Sequence, residues 1–205
     1  INIHKLQSIN FDFIVLSPGI DIMKCQISSF LRRNKAKIIT ELDIFAISYP
    51  NINKITITGT NGKSTTAKLL YEVLKNNKKD VRLTGNIGYP ILMEKKIKNN
   101  TIFVIEASSY QLDYSKFFKS KYSAILNLSP DHLERHGNFR NYAKAKLKIV
   151  NSQNKKDYAN FLPLRKDITD REVVNRVMAY MQPRDYQIVC ELGHCCCDNC
   201  SCSSR

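Results

Sequence analysis

Long apolar runs are missing from this 205-residue chain. No stretch of 18 apolar residues occurs, which rules out a membrane-spanning helix. The first residues lack a basic-then-apolar stretch with a small-residue cleavage site, so no secretory signal is expected. Residue 1 is Ile rather than Met, and a natural start upstream is expected. No internal repeat is present. Acidic residues are scarce, with 18 Asp and Glu against 32 Lys and Arg, giving a formal charge of +14. That surplus invites a nucleic-acid reading. What such a reading also needs, basic residues interleaved with aromatics along a groove, is absent. The lysines, such as Lys5, Lys35, Lys75, Lys79 and Lys96, are scattered through polar stretches between apolar runs, in a region equally rich in Asn and Ile. They read as a compositional habit on a solvated surface. Low-complexity disorder is excluded because 43% of residues are hydrophobic and Ile, Leu, Val and Phe recur throughout.

Short apolar runs alternate with helix-spaced patterns. Strands are expected at 11–16, 36–40, 54–58, 81–84, 101–107 and 123–128. Helices are expected at 23–35, 41–47, 64–76 and 139–150. This alternation predicts an α/β fold with a parallel sheet. Functional residues in such sheets gather beyond the carboxyl ends of the strands, and the polar clusters of this chain sit at those ends.

Gly59-Thr60-Asn61-Gly62-Lys63-Ser64-Thr65 follows a strand and opens a helix, which is the context of a phosphate loop. Backbone N–H groups turned inward by the glycines would cradle phosphate oxygens. Lys63 would reach the terminal phosphates, and the hydroxyl of Ser64 or Thr65 would ligate Mg2+. The general pattern wants Gly at 57, where Ile57 stands, so this is a compact variant; the competing reading is a glycine turn with an incidental Lys. Glu106 ends an apolar strand, where a carboxylate is costly unless paired or bound to a cation; otherwise it is a strand end exposed to water. Asp131 and His132 follow another strand and read, in isolation, as a surface turn. Lys146 lies on the next helix, one turn after Tyr142, and taken alone is one surface Lys among many.

These pieces, in this order, resemble the Mur ligases, the ATP-dependent amino-acid ligases of peptidoglycan synthesis. The stretches are SPGI (17–20), TELDIF (40–45), GTNGKST (59–65), GNIG (85–88), EASSYQL (106–112), NLSPDHLERHG (127–137) and YAKAK (142–146). The resemblance covers about residues 11–150. It implies a partial Rossmann-like UDP-sugar-binding domain over 1–50 and a truncated central P-loop ATPase domain over 51–158. It implies that Gly59, Thr60, Asn61, Gly62, Lys63, Ser64, Thr65 and Thr66 wrap the ATP phosphates. Ser64 and Glu106 would hold one Mg2+, and His132 would help to hold a second. Lys146 aligns with a lysine that the family carbamoylates; reaction with CO2 needs the neutral amine, so its pKa must fall below the ordinary ~10.4. Lys63, Glu106, His132 and Lys146 are thus the implied catalytic set, and Ser17, Asn86, Ser108 and His132 the implied substrate contacts. Within the family, GNIG together with SSYQL implies UDP-N-acetylmuramoyl-L-alanine and D-glutamate as substrates, joined through an acyl phosphate, in a cytoplasmic monomer. Another Mur-type amino-acid ligase, or a non-catalytic nucleotide-binding module with a metal-binding tail, are the alternatives. Little ligase activity is expected of this chain alone, because the early strand and glycine turn of the first domain and the whole third domain are not recognisable in it.

The character of the chain changes after residue 150. Before it, 19 Lys and 5 Arg face 11 acids; after it, 3 Lys and 5 Arg face 7. A boundary is expected near 157–163. Six of the seven cysteines fall between Cys190 and Cys202. With His194 they admit a zinc site, but three adjacent cysteines cannot all face one metal without a contorted backbone. The competing reading of 159–205 is an unstructured Cys-rich tail or a joined foreign segment, with a helix possible over 169–181.

Overall fold

Among the described residues, seven short strands, all paired in parallel, form two sheets. The structure, a computed structural model, describes residues 6, 8–154 and 157–161. The expected helix over 169–181 and the Cys-rich segment from Cys190 to Cys202 lie outside the described residues.

A small first unit pairs β1 (Ile14–Val15) with β2 (Ile38–Ile39). Between them lies α1 (Ser28–Arg33), followed by a 3-10 turn at Lys35–Lys37. Its core is Leu16, Ile22, Phe30, Leu31 and Ile38. The apolar runs at 11–16 and 36–40 predict longer strands than form. Phe11 is turned instead into that core, edge-on to Phe30 at 6.0 Å. The helix expected over 23–35 is likewise confined to six residues. Asp21 ties Met23 N–H into a local turn at 2.8 Å, and no side chain caps α1, so residues 21–27 turn rather than coil.

The larger unit begins with α2 (Glu41–Ser48), whose Leu42, Phe45 and Ala46 join the larger core. Then follow β3 (Asn53–Thr58), α3 (Lys63–Asn76), β4 (Val81–Gly85) and β5 (Ile102–Glu106). After these come α4 (Ser109–Tyr114), β6 (Tyr122–Ile125), α5 (Leu133–His136), α6 (Phe139–Asn151) and β7 (Tyr158–Phe161). The sheet order is β4-β5-β3-β6-β7. Helix α3 covers one face, packing Ala67, Leu70 and Leu74 over Ile57 and Val104. On the other, α2, α4 and α6 enclose Phe103, Ile105 and Ile125. Burial on both faces explains why β5 reads as a near-continuous apolar run.

Three elements go beyond the sequence expectations. Helices α4 and α5 are too short to show a helical period. Strand β7 lies where the composition changes and adds to the sheet edge beside β6. Strand β6 stops at Ile125 rather than at Leu128. Leu126 N–H still donates to Thr58 O at 2.9 Å, after which Asn127 turns away to serve the loop beyond β3.

Asp43, on the first turn of the larger unit, is wholly buried. Its Oδ2 accepts from Thr40 N–H at 2.9 Å, opening α2. Its Oδ1 accepts from Ser115 Oγ and from the N–H groups of Lys116, Phe117 and Phe118, at 2.7–2.9 Å. One carboxylate therefore fixes both the entry to the larger unit and the loop after α4. Among the described residues no helix is long and apolar enough to cross a membrane.

Candidate functional site

Strand order reverses around β3: the chain leaves it towards β4 and β5, then returns to its other side with β6. In parallel sheets this reversal opens a crevice at the carboxyl ends. Gly59 follows β3, Glu106 ends β5 and Asn127 follows β6, so all three meet there.

Residues 59–65 form a tight loop into α3. Gly59 has φ +151° and Gly62 has φ +80°. A Cβ on Gly59 would lie 3.1 Å from Leu126 Cβ and 3.3 Å from the Asn127 backbone, so this turn needs glycine. Asn127 clamps the loop from the side. Its Oδ1 accepts from the N–H groups of Thr60 and Asn61 at 3.1 and 2.8 Å, and its Nδ2 donates to Asn61 O at 3.0 Å. The Thr60 hydroxyl lies 2.9 Å from the Tyr142 hydroxyl and accepts from Ser129 N–H at 3.0 Å. Lys63 folds back, donating from Nζ to Thr60 O at 2.7 Å. Ser64 and Thr65 are exposed at the start of α3, and Thr66 N–H donates to Gly62 O.

Glu106 is buried, 1% exposed, which excludes the reading of a strand end open to water. Oε1 accepts from Asn86 Nδ2 at 3.0 Å, while Oε2 is buried with no partner. A carboxylate oxygen desolvated and unpaired is costly, and a bound cation relieves that cost. Asn86 is held in place because Gly85 pairs with Glu106 across β4 and β5, and Asn86 N–H donates to Glu106 O at 2.8 Å.

Lys146 is not a surface lysine. It is 2% exposed on the sheet-facing side of α6, with Nζ donating to Gly59 O at 2.8 Å and to Thr58 Oγ1 at 3.3 Å. Its amine also sits 4.8 Å from the centre of the Tyr142 ring. Burial first, and the Lys63 charge second, pull its pKa down from 10.5 to about 7, against the opposing pull of Asp131 and Glu106. Lys63, Glu106, Asp131 and Lys146 thus share one electrostatic neighbourhood. Desolvation likewise pushes the Tyr142 phenol up to about 12.

His132 stands at the exposed rim with φ +51°. Its Nε2 lies 3.5 Å from Asp131 Oδ2, and its ring is 5.0 Å from that of Tyr110. Arg135 also lies over Tyr110, 4.7 Å from its ring centroid, and donates to Ile20 O. This chain of contacts reaches the turn bearing Ser17, whose own side chain is exposed. Ser108 is engaged locally: its Oγ accepts from Gln111 N–H at 3.2 Å and caps α4.

The loop, Glu106, Asn86 and Lys146 are therefore gathered into one cluster, with His132 at its rim; Ser17 and Ser108 stand further out. Asn127, Tyr110 and Arg135 are additions that the sequence reading did not single out. Asn127 lay inside the strand expected over 123–128, and only the end of β6 at Ile125 frees it for the loop. His136 is a fourth addition: it is 8% exposed, its Nε2 lies 3.0 Å from Ser109 Oγ, and burial pulls its pKa down.

The Mur ligase middle domain family matches residues 57–193. The UDP-N-acetylmuramoylalanine--D-glutamate ligase of Rickettsia felis is 41% identical over 150 residues, covering 73% of this chain and 33% of that protein. The ligase of the same name from Caldicellulosiruptor saccharolyticus is 40% identical over 149 residues, 72% of this chain and 33% of its own length. The chain thus spans about a third of the length of these relatives. Among solved structures, the UDP-N-acetylmuramate:L-alanyl-gamma-D-glutamyl-meso-diaminopimelate ligase from Neisseria meningitides superposes with a TM-score of 0.54 at 13% identity. The superposition covers 85% of this chain and 58% of that one, a likeness of fold.

Proposed function

The chain belongs to the Mur ligase family, whose members are ATP-dependent amide-bond-forming ligases, and on that footing we propose that it carries the ATP-binding core of a D-glutamate-adding ligase. In this reading the carboxylate of UDP-N-acetylmuramoyl-L-alanine attacks the γ-phosphorus of ATP, releasing ADP and leaving an acyl phosphate. The amine of D-glutamate then attacks the acyl carbon, phosphate departs and an amide remains. The choice of D-glutamate rests on the relatives at about 40% identity, which carry that ligase's name.

The observation that carries the proposal is Glu106: a buried carboxylate with one unpartnered oxygen, one strand away from a glycine loop that opens a helix. Oxygen donors fit a hard cation, and Ser64 and Glu106 would hold one Mg2+, with His132 and carbamoylated Lys146 on a second. Bound Mg2+ supplies charge neutralisation for the phosphates. The chain's own groups do the positioning that phosphoryl transfer requires. The clamped loop directs the N–H groups of residues 60–66, and Lys63 exchanges Thr60 O for the γ-phosphate. Asn86, tied to Glu106, orients the sugar nucleotide on the side where the Ser17 turn and Ser108 stand. Lys146, pulled down to about 7, presents a neutral amine to CO2 near neutral pH, losing a proton as the N–C bond forms.

The test is ATP binding by the purified chain with and without Mg2+, beside Lys63→Ala and Glu106→Gln. It is followed by phosphate release with both substrates. ATP affinity should rise with Mg2+, fall about tenfold or more in Lys63→Ala, and lose its Mg2+ dependence in Glu106→Gln. Binding indifferent to both substitutions sinks the site assignment. Phosphate release supported by L-alanine in place of D-glutamate sinks the substrate assignment.

A further inference from the structure

Behind α6, on the side turned away from the glycine loop, the two units enclose a cleft of about 690 Å3. Five cations line it: Lys35 from the first unit, Lys116 after α4, Arg135 on α5, and Lys144 and Lys148 on α6. The spacing of 144 and 148 places both on one helix face, while Lys146 between them points to the sheet. Among the described residues the one carboxylate in the lining is Asp113.

Among the described residues none of the five cations is paired with a carboxylate. Three of them are instead fixed by backbone carbonyls. Lys116 donates to the carbonyls of Ala36 and Lys35, Lys148 to those of Asp113 and Ser115, and Arg135 to those of Ile20 and Pro18. Carbonyls orient these groups without neutralising them. Burial pulls the Lys148 pKa down; Asp113 and Asp43 oppose that pull, and Lys144 and Lys35 add to it. Lys35 and Lys144 are exposed at the mouth, and Tyr114 and Ile38 add an aromatic and an apolar wall.

We propose that this cleft binds a small phosphate-bearing anion, at a site separate from the ATP loop. Three cations held by carbonyls and two exposed at the mouth exceed what the one carboxylate of the lining can satisfy, whereas phosphoryl oxygens can accept from several at once. The volume is that of a nucleotide-sized ligand. Because the lining comes from both units, an occupant would bridge Lys35 to α6 and hold the units together.

The test uses the full chain carrying Lys63→Ala, so that the loop no longer competes, with inorganic pyrophosphate as probe in calorimetry. One saturable site is expected, weakening as salt rises. Adding Lys35→Ala and Lys144→Ala, both exposed and outside the proposed active site, should weaken it about tenfold or more. Lys75→Ala with Lys79→Ala, equal in charge but elsewhere, should leave it unchanged. Absence of saturable binding, or equal loss with the control pair, overturns the proposal. Glutarate binding as tightly as pyrophosphate overturns the phosphate assignment. Since the loop is already disabled in this background, failure here is distinct from failure of the ATP-binding reading.

Discussion

Lys146 makes the sharpest quantitative prediction. Its amine has a folded-state pKa of about 7 against an ordinary 10.5. Between those values the unfolded chain holds more protons than the folded one, so stability rises with pH across that window and its cost is fully present below pH 7. Worked from the two values, Lys146 alone should make the chain about 2 kcal/mol more stable at pH 9 than at pH 7. Lys54, pulled down by burial to about 8, tilts stability in the same sense. It is present in any Lys146 variant and cancels in the comparison. Tyr142, pushed up to about 12, tilts stability the other way only above pH 10, outside the range used. The perturbation is Lys146→Met, which keeps an unbranched buried stem and removes the charge. The assay is urea unfolding of both chains in CO2-free buffer at pH 7 and pH 9. The gain in stability from pH 7 to pH 9 should be about 2 kcal/mol larger in the parent. Gains equal to within about 0.5 kcal/mol would refute the reasoning. A second readout follows from the same pKa. About half the amines are neutral at pH 7, against roughly one in 3000 for an ordinary lysine. With 13C-bicarbonate the parent should show a carbamate signal by NMR that Lys146→Met lacks.

Two further perturbations address the frame around the site. Asp43→Ala removes the acceptor for six donors, from Thr40 and the loop after α4, and should cost about 3–5 kcal/mol. Hydrogen exchange should accelerate first at residues 116–118, and unchanged exchange there would contradict the assignment. Gly85→Ala would place a Cβ 2.3 Å from Glu106 O at a φ of +102°. It should destabilise by more than about 3 kcal/mol and uncouple Asn86 from Glu106. Gly137→Ala, with φ +79° and nothing within 4 Å of the added Cβ, should cost only about 1–2 kcal/mol. Equal thermal shifts for the two variants would show that the clash with Glu106 O is not what demands glycine at 85.

Much of the larger unit was legible in the sequence because its physics is local. Strand β5 is buried on both faces and reads as an apolar run, β3 is rich in Ile and Thr, and the glycines of the loop mark the turn into α3. The first unit was misjudged for the opposite reason. Its apolar residues are numerous, but Phe11 and Ile22 serve a small core rather than a ladder, and strand length there is set by a single neighbour. At the site, Glu106 was visible as a charge ending an apolar run, whereas its unpartnered oxygen was not, since that depends on Asn86 taking the other one. Lys146 was visible only through resemblance. Nothing local separates it from Lys144 or Lys148; burial beneath the loop does, and that burial is a property of how α6 docks on the sheet. Arg135 and Tyr110 were illegible for the same reason, since their contacts join α4, α5 and the turn at 17–20.

The site holds two costs that a stable fold would ordinarily avoid. Glu106 buries a carboxylate oxygen without a partner, and Lys146 buries an amine whose pKa has fallen to about 7. Pairing them directly would relieve both, yet the structure spends their hydrogen bonds elsewhere: Asn86 holds the first, and Gly59 O with Thr58 Oγ1 the second. A structural ion pair would have closed the crevice and left the loop nothing to cooperate with. In the proposed function this leaves the carboxylate free to accept a cation and the amine free to react with CO2. On the proposed reading both costs are recovered only when metal and nucleotide arrive. Ligand binding should therefore stabilise the parent chain more than it stabilises Glu106→Gln, in which the unpartnered charge has already been removed.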